Sequence, residues 1–279
     1  MFIGWLTCIS QSLRPHFLLS FHDRKFARRP PMPIASVVMA NTRKMKTRLQ
    51  NTNLLTVGNS ALKNPDWTDY AKYCIEREKG YRKEAFKHLD LFIKATESWT
   101  AEQHKEFIEF IFSLTETISN NNCDFIPQML SEKLIKPALE NWCEIETTDS
   151  RPFRWYGSQF DNEDYLLNAL KINPADEFAR LTLINLSIGV INSDLHHLPE
   201  FYIGEPAYDL VLCERVRKQI EKLTSLELRD RFTIEIEEYL ELINNYADWL
   251  DSGELSFENW GTKYNRRTGN ETKTYYYDK

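Results

Sequence analysis

The densest set of potentially reactive side chains in this chain is Asp194-Leu195-His196-His197-Leu198-Pro199-Glu200. Imidazole and carboxylate together can ligate zinc or iron. On a helix Asp194 and His197, three apart, share a face, as do His196 and Glu200, four apart. One chemistry open to them is a metal-dependent reaction centred on Asp194, His196, His197 and Glu200. A carboxylate-bridged di-iron bundle would also need a second Glu/Asp-x-x-His and inward acids on two further helices, and no second copy occurs. The competing assignment places His196 and His197 at a helix C-terminus, where partial negative charge favours them, or against a partner protein. His88, four residues after Glu84, and His104, two after Glu102, read as solvated groups on helix faces.

A second candidate is Arg151-Pro152-Phe153-Arg154-Trp155-Tyr156. Arginine and large aromatics are enriched where proteins bind one another, and arginine stacks on tryptophan. Arg151, Arg154, Trp155 and Tyr156, together with His196, His197 and Glu200, are thus candidate partner contacts. The alternative is a connection from Thr147 to Gly157 pinned to the core by Phe153 and Trp155. No Gly-x-Ser-x-Gly marks a nucleophile. Glycine, nine residues in 279, is too scarce for a phosphate-cradling loop. A kinase, P-loop ATPase or Rossmann enzyme is therefore not expected, and neither a cofactor nor a catalytic residue is assigned.

Elements able to position such groups must come from a chain that is 42% apolar and 13% aromatic, with only nine glycines and eleven prolines. That composition supports a sizeable core and argues against a β-rich or low-complexity protein. No apolar run reaches the ~18 residues that mark a membrane span. Cys8, Cys74, Cys123, Cys143 and Cys213 are irregularly spaced and contain no Cys-x-x-Cys pair, which disfavours a thiolate zinc site. An odd count in a large chain suits a reducing compartment and thiols that pack as small apolar groups. The expected location is the cytoplasm.

Residues 1–48 carry nine Lys/Arg and a single acid, Asp23, whereas the other 231 residues carry 26 bases and 40 acids. The acidic body disfavours nucleic acid and suits a basic protein partner. Residues 1–58 are expected to be a disordered segment or sequence upstream of the true start, with Met32, Met39 or Met45 as alternatives. An Arg-rich organelle transit peptide is another possibility, broken by Pro30, Pro31 and Pro33, and a secretory signal lacks its basic start.

From about residue 59 to 265 helix signals dominate. Asn64-Pro65-Asp66 starts a helix that Gly80 ends. Ala85, Phe86, Leu89, Phe92 and Ile93 mark the face of the next. Thr100-Ala101-Glu102-Gln103 forms a capping box. Asn120-Asn121-Asn122 is a loop, Pro127 starts a helix, and Pro137 kinks or restarts it. Asp161 is expected to cap the helix through Leu170, and Pro174-Ala175-Asp176 to open one that Gly189 stops. Pro206 starts another, a long helix spans about Leu226 to Leu250, and a short one lies near Phe257–Tyr264. Residues 266–279 read as a polar tail.

Two stretches resemble tetratricopeptide repeats, the helix-turn-helix units that stack into curved solenoids. One is Gly80-Tyr81-Arg82-Lys83-Glu84-Ala85 with Leu89; the other is Ala169-Leu170-Lys171-Ile172-Asn173-Pro174 with Ala179, Leu183 and Gly189. The Trp-x-x-Leu-Gly of a standard first helix is absent from both. The resemblance implies close-packed hairpins and a concave groove that binds a peptide or helix. The expected fold is all-α: antiparallel helical hairpins, tetratricopeptide-like or an irregular bundle. The expected activity is non-catalytic protein binding through an acidic helical surface. Two alternatives are a toxin-immunity protein neutralising a basic partner and the metal-dependent enzyme above.

Overall fold

The computed structural model describes residues 54–117 and 125–269. The expectations for residues 1–53, the 120–122 loop, residues 270–279, Cys8 and Cys123 lie outside the described residues. Within them all regular structure is helical, with no strand, so the protein is all-α.

Local chemistry sets the boundaries. Helix α1 spans 54–61. The Asn64 side chain then accepts from the Asp66 N–H at 3.0 Å and opens a 3-10 turn, Pro65–Trp67, that leads into α2, Thr68–Glu78. Gly80, at φ +85°, ends α2 as a Schellman motif: the Tyr81 N–H reaches the Glu76 carbonyl at 2.9 Å and the Gly80 N–H that of Arg77 at 3.1 Å. Helix α3, Arg82–Thr96, packs on α2 through fully buried Ala85. The capping box forms as expected: the Gln103 N–H donates to Thr100 Oγ1 at 3.3 Å and the Thr100 N–H to Gln103 Oε1 at 3.0 Å, starting α4, Ala101–Thr117.

Helix α5, Gln128–Leu130, passes through a π-helical segment, Ser131–Ile135, into α6, Lys136–Ile145. Pro137 has no N–H to give the preceding turn, and the widened turn is where the backbone absorbs the misfit. The Thr147–Gly157 connection is corrected: residues Ser150–Gln159 form helix α7, capped by Asp149 on the Arg151 N–H. Pro152 sits in the first turn, where its missing N–H costs nothing. The cap expected at Asp161 belongs to Asn162, which accepts from the Tyr165 N–H and starts α8, Glu163–Ile172.

Asp176 caps α9, Glu177–Leu195, by accepting from the Ala179 N–H at 3.0 Å. Gly189 does not stop this helix. The apolar stripe through Ile184, Ile188, Ile191 and Leu195 is buried along its length and carries the helix past the glycine. Helices α10, Pro206–Ile220, α11, Leu226–Ser252, and α12, Phe257–Tyr264, follow. Gly253, left-handed at φ +72°, ends α11.

Each of α6 to α11 packs against its neighbour in sequence, and α9 also touches α7 and α11. One apolar core spans Leu54 to Tyr156 and a second Ile184 to Trp260. A small cluster of Leu166, Ala169, Ala179 and Leu183 lies between them, on α8 and α9. Buried Leu54 and Val57 place residues 54–58 in the folded body, not in the N-terminal segment. Residues 266–269 likewise fold back, since buried Asn245 donates to the Arg267 carbonyl at 2.9 Å. Among the described residues no helix is long and apolar enough to cross a membrane.

Candidate functional site

Of the residues from Asp194 to Glu200, the two histidines meet, with ring centroids 3.9 Å apart. His196 and His197 are exposed, and His196 Nδ1 lies 2.5 Å from the Ser193 carbonyl in the last turn of α9. The His197 ring stacks on Phe201, and Glu200 is exposed. Asp194 packs against Gly204, where any Cβ would collide with its carboxylate. Among the described residues no group of three or more His, Cys, Asp or Glu is placed to hold a metal ion. His88, read as solvated, instead meets Asp69 of α2 at 3.0 Å, and His104 meets the Thr96 carbonyl at 3.2 Å.

The Arg151–Tyr156 candidates belong to the interior. Trp155 and Tyr156 are buried. Trp155 stacks on Phe112 and donates its indole N–H to Glu116 at 2.8 Å, and the Tyr156 hydroxyl donates to Glu140 at 2.9 Å. Arg154 bridges Glu116 at 2.6 Å and the buried carboxylate of Asp176 at 3.2 Å. Only Arg151 is substantially exposed, and it pairs with Asp149 and Glu109. These side chains lock α7 to α4 and to the start of α9; they are not a free surface. The acidic run on α11 is also engaged: Arg217 pairs with Glu237, Arg267 with Glu238 at 3.5 Å, and the Tyr239 hydroxyl donates to Glu235.

A concavity of about 910 Å³ lies between α3, α4 and the π-helical segment with α6. Ile93, Leu134, Pro137 and Trp142 form its apolar part, and Ile145 at its edge is 70% exposed. Small side chains at Ala101 and Ala138 leave the space open. Lys105 Nζ stands 4.8 Å from the Trp142 ring centroid, and the buried Trp142 indole N–H has no acceptor among the described residues. Glu97, Glu102 and Glu146 alternate with Lys105 and Lys133 around the rim.

Two buried charges escaped sequence reasoning. Asp209 is fully buried in the first turns of α10; Tyr202 donates to its Oδ2 at 2.6 Å and Oδ1 has no partner among the described residues. Burial, opposed by the Tyr202 hydrogen bond and aided by nearby Asp194, raises its carboxyl above the ordinary range. Arg180, 4% exposed, donates to Gln219 at 2.6 Å and to the Pro174 carbonyl. Both lie in phase with apolar stripes, Asp209 with Leu212, Cys213 and Val216, and Arg180 with Ile184, Ile188 and Ile191. A charge at a core position of a helix was the available signal. Cys74, Cys143 and Cys213 are buried thiols pushed up to about 12, foremost by desolvation, and so pack as apolar groups.

No family model, curated protein or solved structure matches this chain.

Proposed function

We propose that this protein is a non-catalytic interaction module that receives a segment of another protein in the groove between α3, α4 and α6. The observation that carries this reading is the groove itself. It is large and open, with an apolar floor, an exposed Ile145 beside buried Trp142, and charges of both signs at its rim. Exposed apolar surface rimmed by polar groups is the usual form of a docking site, and a buried indole beside an open aliphatic gives a docking segment a place to anchor. The helical hairpins supply a rigid frame, as the tetratricopeptide resemblance implies.

The test uses the full chain, tagged in its native cell, as wild type and as Ile145→Asp. Ile145 is exposed, so the variant should keep the wild-type circular dichroism and melting temperature. One protein should co-purify with wild type near stoichiometry and fall at least about tenfold with the variant, roughly a 1.4 kcal/mol loss. Absence of a stoichiometric partner from wild type, or its retention by Ile145→Asp, would overturn the assignment.

A further inference from the structure

Adjoining concavities of about 440 and 330 Å³ run along α8, α9 and α10 and share Leu167, Gln219 and Lys222. Their lining contains five cations, Lys171, Arg180, Arg215, Lys218 and Lys222, against one carboxylate, Glu163. This runs against the composition, because acids outnumber bases 40 to 26 in residues 49–279. Its open apolar surface comes from exposed Leu167 and half-buried Leu170, backed by buried Leu183, Ile184 and Val216.

The balance of charge within the groove is unmet. Glu163 stands 3.7 Å from Arg215, a loose pair. Among the described residues Lys171, Lys218 and Lys222 form no ion pair. Arg180 is the telling case. Its guanidinium is almost wholly removed from water, its Nη atoms reach only neutral acceptors, its Nε has none, and no described carboxylate lies within ion-pair distance. Asp176, one turn earlier, is taken by Arg154. A buried cation without a counter-ion is costly and is normally paired. Lys171 and Lys218 also favour the last turns of their helices, but that effect explains neither Arg215, midway along α10, nor Arg180, in the first turn of α9.

We propose that the groove between α8, α9 and α10 binds an acidic peptide segment of a partner protein, with apolar side chains on Leu167 and Leu170 and carboxylates among the lysines. Charge complementarity selects the carboxylates, and exposed Leu167 beside half-buried Leu170 offers apolar surface that a peptide side chain can cover and a phosphate backbone would not. This groove is separate from the one at Ile145, and its occupant has the opposite charge to the basic partner that composition suggests.

The full-length protein is immobilised and used to select from a random peptide display library, with counter-selection against Lys218→Glu/Lys222→Glu. Peptides rich in Asp and Glu with interspersed Leu, Ile, Phe or Trp should be enriched. The Kd of an enriched peptide should rise at least tenfold with Lys218→Glu/Lys222→Glu, and also with Lys171→Glu alone. It should stay within twofold for Lys83→Glu/Lys94→Glu, an equal charge change on α3, and should weaken as salt is raised. Enrichment of neutral or basic peptides, or an unchanged Kd in Lys218→Glu/Lys222→Glu, overturns the proposal. So does a twelve-residue polyuridylate that binds wild type and not that variant while no acidic peptide is enriched. None of these variants touches Ile145, so the two grooves succeed or fail separately.

Discussion

Asp209 shows how one side chain can set a pH response. Its carboxyl is raised by burial, so between the ordinary carboxylate pKa and the raised one the folded state holds a proton that the unfolded chain has released. Stability contributed at this position is therefore present below the ordinary pKa and is lost as pH rises through the folded pKa. Asp209→Asn keeps an acceptor for Tyr202 and cannot ionise. Its melting temperature should exceed that of wild type at pH 8, and the difference should shrink towards zero as pH falls below about 4. Thermal melts of both proteins from pH 3 to 8 check this; a constant difference would show no linkage at this position, and one that grows on acidification the opposite linkage.

At the scale of the element, two glycines that punctuate the sequence alike behave oppositely. Gly80 is left-handed at φ +85° and closes α2, so Gly80→Ala should destabilise by about 1 kcal/mol. Gly189 is inside α9, and a Cβ there would meet nothing within 4 Å. Gly189→Ala should therefore stabilise by about 0.5–1 kcal/mol. Urea unfolding of the pair would settle the signs; the same sign for both would refute the assignment of one to a cap and the other to a helix interior. Helix α7 was hidden for a related reason. Pro152 and Gly157 look like loop residues, but Pro152 falls in the first turn and Gly157 is where Leu166 comes so close that a Cβ would stand 2.6 Å from it. Capping signals at Asn64 and Thr100 were legible because the side chain and the N–H it bonds are two or three residues apart.

Across the whole molecule the two apolar cores are linked through α7, α8 and α9, and Arg154 stands at the junction. It joins α4, in the first core, to the cap of α9, which leads into the second. Arg154→Ala leaves the buried Asp176 carboxylate without its cation and should cost about 3 kcal/mol. Arg154→Lys should recover only part, because a single ammonium cannot reproduce the fork that spans Glu116 and Asp176. Equilibrium urea denaturation gives both values, and a loss below about 1 kcal/mol for the alanine variant would mean that the bridge is dispensable.

The sequence by itself determined the fold class, most helix faces and several helix ends, because apolar periodicity and capping act over three or four residues. It also marked the thiols at Cys74, Cys143 and Cys213 as core. Tertiary structure alone decided which charges meet. Arg154 finds Glu116 and Asp176 across 38 and 22 residues, Arg180 finds Gln219 across 39, and Glu177 receives the Thr224 N–H across 47. The candidate site moved for the same reason. Asp194, His196, His197 and Glu200 are neighbours in sequence, yet among the described residues they form no metal-holding group, whereas Lys171, Arg180 and Lys222 are distant in sequence and line one groove. Local periodicity carries no record of such pairings, because they depend on how helices cross after each has formed.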